Sequence, residues 1–218
     1  GFCLFLNIKS FTLGPLQNNS YLLWDETIKD GVVIDPTFDS ELIIGFAKKN
    51  SINISKILNT HCHFDHIAGN ADIWRFFKAE IFINSKEIDL LKSGHIIAEH
   101  FGLISKPSPD PTKFISEGDE IVVGREKIVV IETPGHTKGG VSFYIKGNLF
   151  CGDTLFSESI GRTDLEGGDL DTLLKSIREK LFVLPAETVV HPGHGELTTI
   201  AKEVGGNPFL NDKGEDFV

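Results

Sequence analysis

The sequence predicts one two-layered α/β domain. Three observations carry that expectation. Short β-branched runs are followed by amphipathic stretches twice along the chain. No linker, repeat or low-complexity tract divides it, and one set of metal-type side chains is shared between its two halves. The 218 residues, 40% hydrophobic and 24% charged, suit one large domain or two small ones with a buried core.

Taken in order, apolar patterning predicts strands over residues 4–11, 20–24 and 31–35, with Asp30-Gly31 as a turn signal. Residues 38–50 read as a helix, because Leu42, Ile43, Phe46 and Ala47 recur at helical spacing, with Asp39 or Ser40 near the cap. A buried strand over 54–59, a helix over 67–78 and a strand over 80–84 follow. Residues 86–112 hold a helix and then the Pro-rich stretch Pro107 to Pro111, a lid, a pocket wall or a connector. Strands are expected over 120–123, 127–132, 141–145, 148–151 and 188–191. Between the last two lies an amphipathic helix over 170–181 with Asp169 near its start. Beyond Thr198 the tail is expected to be helical and then frayed.

Composition narrows the function classes. No apolar run reaches the ~18 residues that span a membrane, and residues 2–6 are too short and too poor in Lys or Arg for a secretory signal. The absence of Met, even at residue 1, predicts a start other than the native one. Thirty-one acids against 21 bases give a net charge of −10, which argues against a surface that tracks nucleic-acid phosphates. Three Cys without a C-x-x-C predict reduced thiols and a cytoplasmic setting. The unusual entry in the composition is eight His.

Five of those His stand in a metal-type pattern. Residues 60–66 read Thr-His-Cys-His-Phe-Asp-His. In extended backbone, residues two apart point to the same side, so His61 and His63 can grip one ion together. Asp65 and His66 are adjacent, so the chain must turn there, and they can address a second position. The apolar pattern from Ile67 places that turn at a helix start, where Asp65 and the other ligands must offset a dipole that favours anions. Three further ligands each follow a short apolar strand beside a glycine: His136 in Pro134-Gly135-His136, Asp153 in Gly152-Asp153-Thr154, and His194 in Pro192-Gly193-His194. Imidazole and carboxylate suit zinc, with iron or manganese as options. Any one of these turns would be ordinary alone. The complete H-x-H-x-D-H with three ordered strand-end ligands is specific.

This pattern resembles the metallo-β-lactamase fold superfamily over nearly the whole chain, with residues 60–69 standing at its signature. The resemblance implies a four-layered αββα sandwich, a single domain over residues 1–218. It places His61, His63 and His136 on one ion and Asp65, His66 and His194 on a second, with Asp153 bridging. Asp35 would support the site from behind, although Asp35-Pro36-Thr37 also reads as an ordinary turn. The stretches Gly161-Arg162-Thr163-Asp164, His191 to Gly195 and Asn207-Pro208-Phe209 resemble the short bacterial branch of the glyoxalase II-type thioesterases, the hydroxyacylglutathione hydrolases. That branch implies a dinuclear hydrolase of S-acylglutathione-type thioesters such as lactoylglutathione. The attack would come from a metal-bridging hydroxide that Asp65 orients. Two divalent ions, zinc foremost, and a small-molecule thioester are the implied cofactor and partner, with no nucleic acid, no membrane and an open oligomeric state. The sequence departs from longer relatives in two places. It stops soon after Phe209, so no C-terminal helical glutathione-binding extension is expected, and Arg162-Thr163-Asp164 stands where they carry Lys-Phe-Tyr. Arg162 is a candidate for a substrate carboxylate and equally for a structural salt bridge.

Other readings compete. An iron-dependent persulfide dioxygenase shares the Gly161 to Asp164 stretch, yet needs one iron and generally lacks the intact Pro-Gly-His-Gly around His194. A lactonase or other ester hydrolase is a further alternative. A β-lactamase is disfavoured because Asp153, not Cys or Ser, occupies the bridging position, and a nuclease because the chain is acidic. A purely structural metal site would close each ion with four protein ligands, whereas seven residues here serve two ions. His95 and His100 are expected as solvated or pocket-wall residues in an irregular segment, and His191 as packing beneath the site. Cys62 should point away from the metals, and Cys151 should be a small buried residue.

Overall fold

A computed structural model describes residues 6–211. The strands β1 (Leu6–Leu13), β2 (Asn18–Asp25), β3 (Asp30–Ile34), β4 (Asn53–Leu58), β5 (Glu80–Ile83) and β6 (Lys113–Phe114) form one six-stranded sheet in that order. From β3 to β6 the pairing is parallel. A second six-stranded sheet contains β7 (Glu120–Val123), β8 (Glu126–Glu132), β9 (Val141–Ile145), β10 (Asn148–Gly152), β13 (Val189–Pro192) and β14 (Thr198–Thr199). Its order is β14-β13-β10-β9-β8-β7, with β10 and β13 parallel. A hairpin of β11 (Leu155–Phe156) and β12 (Ser159–Ile160) stands apart. The helices are α1 (Glu41–Lys49), α2 (Phe64–Ile67), α3 (Asn70–Phe77), α4 (Ile88–His100), α5 (Leu170–Ser176, continued by a π turn over Ile177–Leu181) and α6 (Ile200–Gly206).

Three apolar clusters stack these elements into four layers rather than two. In β2, Tyr21 and Leu23 face the second sheet while Leu22 and Trp24 face the helices. Val32 and Ile34 of β3 divide from Val33 in the same way. A strand buried on both faces reads as a continuous apolar run, which is why residues 21–24 and 32–34 lack polar alternation. The central cluster joins Tyr21, Leu23, Val32 and Ile34 to Val130, Phe143 and Phe150 of the facing sheet. Ile43, Ala47, Ile73 and Leu91 cover the outer face of the first sheet, and Leu173, Ile177, Leu181 and Ile200 that of the second. The architecture is the αββα sandwich that the resemblance implied.

Several local expectations are corrected. The helix expected over 67–78 forms over Asn70–Phe77 as α3, and a separate turn, α2 over Phe64–Ile67, precedes it. Asp65 and His66 therefore lie inside the single turn α2, with the His66 amide donating to the His63 carbonyl at 2.9 Å. The Asp30-Gly31 signal does not mark a turn. Both residues belong to β3, and the chain reverses just before them, where Lys29 takes a left-handed φ of 60°. The helix expected from residue 38 begins at Glu41. Ser40 sits at its cap without a side-chain cap bond, whereas Asp169 caps α5 through the Thr172 amide at 2.7 Å. His95 and His100 lie on the regular helix α4, not in an irregular segment, and His100 is exposed there. The short strands β6, β11, β12 and β14 were too brief to show a period. The predictions for Cys3, for residues 2–5 and for the frayed end beyond 211 fall outside the described residues.

One polar clasp ties the two sheets together at the end of β2. Asp25 is fully buried and accepts from the Thr27 and Ile28 amides, from Arg125 Nε at 2.9 Å and from Arg125 Nη2 at 3.1 Å. Asp30 adds a bond from the Gly124 amide at 2.8 Å. The Arg125 guanidinium holds the Asp25 carboxyl well below the usual carboxylate range, against the opposing effect of burial and with help from the two amides. A depressed folded-state value means that the clasp stabilises fully above the unfolded value of about 4 and weakens as pH falls. Replacing Asp25 by alanine removes the charged acceptor of these part-buried bonds, a loss of about 1–3 kcal/mol. Denaturant unfolding at pH 7 should show that loss, and the acid limb of the stability curve should flatten.

Candidate metal centre

The chemistry-bearing side chains gather at one edge of the sandwich, where both sheets end. Asp35 follows β3, residues 59–66 follow β4, His136 follows β8, Asp153 follows β10 and His194 follows β13. Parallel pairing of β3 with β4 and of β10 with β13 aligns those carboxyl ends. The edge thus collects residues far apart in sequence.

Two ligand groups result. One ligand atom each of His61, His63 and His136 lie within 4.8 Å of one another, and so do one each of Asp65, His66 and His194; Asp35 forms a further such group with His61 and His66. His63 Nδ1 and His136 Nε2 are 3.0 Å apart. His194 Nε2 stands 3.3 Å from Asp65 Oδ2, and His66 Nε2 stands 3.5 Å from it. Asp153 lies between the groups. Its Oδ1 is 3.4 Å from His66 Nε2, while its Oδ2 is 3.7 Å from His136 Nε2 and 3.5 Å from His194 Nε2.

Each imidazole but His63 is oriented through Nδ1, which leaves Nε2 toward the centre. His136 Nδ1 donates to the Arg162 carbonyl at 2.7 Å, and His194 Nδ1 to the Leu16 carbonyl at 3.2 Å. His66 Nδ1 donates to Asp35 Oδ2 at 3.0 Å. His61 Nδ1 donates to Thr60 Oγ1 at 3.0 Å, and that hydroxyl donates in turn to Asp35 Oδ2 at 2.6 Å. Asp35 also accepts from the Thr60 amide at 2.7 Å. It thus orients two imidazoles from behind and is not the residue of an ordinary turn. Asp35 itself sits at a left-handed φ of 49°, a conformation that Asp tolerates better than most side chains.

The donor set fits metal ions. His61 Nε2, His66 Nε2 and Asp153 Oδ1 are buried with no hydrogen-bond partner among the described residues. Buried polar atoms are normally satisfied, and cations bound at this edge would satisfy all three. Burial, reinforced by neighbouring imidazoles, holds His61 well below its ordinary value, and burial with His136 beside it brings His63 down to about 4. Both are then neutral at neutral pH, the form that ligates. Burial would raise Asp65 and Asp153, yet His66 and its neighbours hold both carboxyls below the usual range. For His66 burial pulls down, but Asp153, Asp65 and Asp35 prevail and raise it, so this corner attracts positive charge.

Glycine permits the closeness. A Cβ at Gly193 would lie 2.3 Å from Asp153 Oδ1 and 2.7 Å from His66 Cε1. Gly193→Ala should therefore displace those two ligands while the fold persists. Metal titration should show an affinity lower by about 10–100-fold, the range for disturbed ligand orientation.

Two functional residues escaped sequence reasoning. Asn18, fully buried at the start of β2, donates from Nδ2 to Asp65 Oδ2 at 2.7 Å and stands 3.3 Å from His194 Nε2. Glu87, also buried, accepts from the Cys62 amide and the Gly139 amide, both at 2.8 Å, and so clamps the loops of the first ligand group. The run Asn18-Asn19-Ser20 before an apolar strand was the available signal for the first, and nothing local marked the second. Arg162 does not present a free guanidinium, because Asp164 binds it through two bonds at 2.7 and 2.8 Å. Cys62 points into the helix-side core, away from the ligands. Cys151 is buried with its thiol pushed up to about 12, mainly by burial. His191 stacks on Phe150 at 4.5 Å, and burial takes it down to about 4.

The Metallo-beta-lactamase superfamily family model matches residues 13–194, a span that contains every ligand above. The chain belongs to the metallo-β-lactamase superfamily. Among superfamily relatives, it is 35% identical over 212 residues to "Hydroxyacylglutathione hydrolase GloC" of Haemophilus influenzae, covering 95% of this chain and 100% of that protein. Among solved structures it is similar to the BLEG-1 B3 metallo-β-lactamase, with 37% identity and a TM-score of 0.87, over 94% of this chain and 99% of that one. It is also similar to TTHA1623 in a di-iron-bound form, with 36% identity and a TM-score of 0.85, over 93% of this chain and 100% of that one. The superfamily fold implies divalent metal ions and a metallo-hydrolase. Among the described residues, no helix is long and apolar enough to cross a membrane.

Proposed function

We propose that this chain, acting as one domain in the cytoplasm, is a dinuclear thioesterase that cleaves S-acylglutathione-type substrates such as lactoylglutathione. The observation that carries the proposal is the Asp153 carboxylate standing between two ligand groups at the floor of an open cavity of about 450 Å³. The likeness to GloC points to thioesters. His61, His63 and His136 would hold one ion, Asp65, His66 and His194 the other, and Asp153 both. Zinc suits this set, and the di-iron form of TTHA1623 makes iron the alternative.

Two such ions supply, when bound, a water acidic enough to ionise near neutral pH and a Lewis acid for the carbonyl. The rest falls to the chain. Asp65, fixed by Asn18 and His194, orients the attacking oxygen and takes its proton. The C–S bond breaks as the C–O bond forms, and the proton passes to the departing thiolate, giving an acid and a thiol. Asp35 and Thr60 keep His66 and His61 in their ligating tautomers. The experiment is a panel of lactoylglutathione, other acyl thioesters, a lactone, a β-lactam and glutathione persulfide, run beside metal quantification. Thioester hydrolysis with two ions per chain supports the proposal. Oxygen uptake on the persulfide with one iron per chain would replace it. A second reading, lactam hydrolysis, is favoured by the likeness to BLEG-1 and is decided by the β-lactam arm.

Arg162 contributes little to binding in this account. Its guanidinium is exposed and already paired with Asp164, and its carbonyl, which orients His136, survives substitution. An exposed pair of this kind is screened by solvent and contributes little. Arg162→Ala should leave KM for lactoylglutathione within about fivefold of the parent, and a larger rise would restore Arg162 as a carboxylate contact.

A further inference from the structure

The cavity lined by His63, Asp65, His136, Asp153 and His194 is otherwise mostly apolar. Leu90, Ile97 and Phe101 reach it from α4 and its C-terminal end at spacings of seven and four, which place them on one helical face. Phe64 stacks against Phe101 at 5.2 Å and 25°. Leu165, from the loop after β12, and Leu16, from the β1–β2 turn, close the rim. Phe101 is 68% exposed and Leu165 is 41% exposed, so large apolar surface faces solvent right at the mouth of the reactive centre. Contiguous exposed apolar surface of this kind marks a ligand groove. The charged side chains beyond the ligands are Arg162, which Asp164 neutralises, and Glu166. Neither adds a free cation to the apolar part of this chamber. A substrate without an apolar arm would leave most of this wall in water.

We infer that the substrate carries a large apolar substituent next to the reacting carbonyl, seated between Phe64, Phe101 and Leu165. This deepens the proposed function and rests on it, naming the substrate class as thioesters with an extended aliphatic or aromatic arm. The arm belongs either to the acyl group or to the thiol, and the chemistry that recognises it is the same.

Two experiments test this. In the first, kcat/KM of the metal-loaded protein is measured for two thioester series, one lengthening the acyl chain from acetyl to hexanoyl, the other lengthening the thiol from methyl to hexyl. One series should gain about fourfold per buried methylene, and which series does so identifies the side. Phe101→Ala and Leu165→Ser, at exposed positions where truncation spares the fold, should each remove about threefold to tenfold from the longest substrate and little from the shortest. In the second, calorimetry follows non-hydrolysable thioether ketones of the same lengths binding to the metal-free protein. Affinity should rise with length and fall in the two variants. Flat series in both experiments would overturn the inference while leaving the thioesterase reading intact. Rising affinity without any thioester hydrolysis would instead overturn the thioesterase reading and keep the apolar seat.

Discussion

Asp153→Asn should reduce metal content from two ions per chain to one or none and lower hydrolysis at least about 10²-fold. The magnitude follows because even partners one bond removed from a ligand cost 10–100-fold in metal affinity or activity. A residue that would contact both ions should cost no less. Asparagine keeps the volume but has one oxygen. In the parent, Oδ1 faces His66 while Oδ2 faces His136 and His194. An amide would turn an NH₂ donor toward one of those groups and forfeit the charge that offsets two cations. Metal analysis and steady-state kinetics on the folded variant check the prediction. Two tightly held ions and full activity would remove Asp153 from the bridging role.

The next largest effect is expected at Asp35, which touches no substrate. Its carboxylate accepts from the Thr60 amide, the Thr60 hydroxyl and His66 Nδ1, all within the buried base of the site. Alanine would orphan those donors, each worth about 1–3 kcal/mol when left unpaired. It would also put an alanine at a left-handed φ of 49°. The metal-free Asp35→Ala protein should lose about 3 kcal/mol or more in denaturant unfolding, and its ion affinity should fall about 10–100-fold because His66 and His61 lose orientation. Asp35→Asn tolerates the backbone and keeps one acceptor. It should recover part of the stability and little of the affinity. Unchanged metal affinity in both variants would mean that the carboxylate serves the fold alone.

These two residues also show what a sequence can and cannot reveal. Asp153 and the five imidazoles of the candidate centre were legible because each sits beside glycine at a strand end or within residues 60–66, so local pattern alone picked them out. Asn18 was not, since its bond to Asp65 spans 47 positions and exists only once β2 lies beside the β4–α2 loop. Glu87 reaches Cys62 across 25 positions and Gly139 across 52, and a glutamate near a helix start carries no sign of such a task. Strand positions were legible from apolar runs, but the four layers were not legible from periodicity. A strand buried on both faces loses the alternation that would reveal which side packs where. The separate turn α2 was hidden as well, because the break at Ala68 and Gly69 interrupts a pattern that stays apolar on both sides.

That seven residues of this chain hold two divalent ions is a proposal. It is tested most directly by stripping the protein of metal and adding zinc or iron(II) back in equivalents, reading bound metal per chain alongside hydrolysis of lactoylglutathione. Binding should saturate at two ions per chain, with activity rising to its plateau as the second equivalent binds. Saturation at one ion with full activity would contradict it.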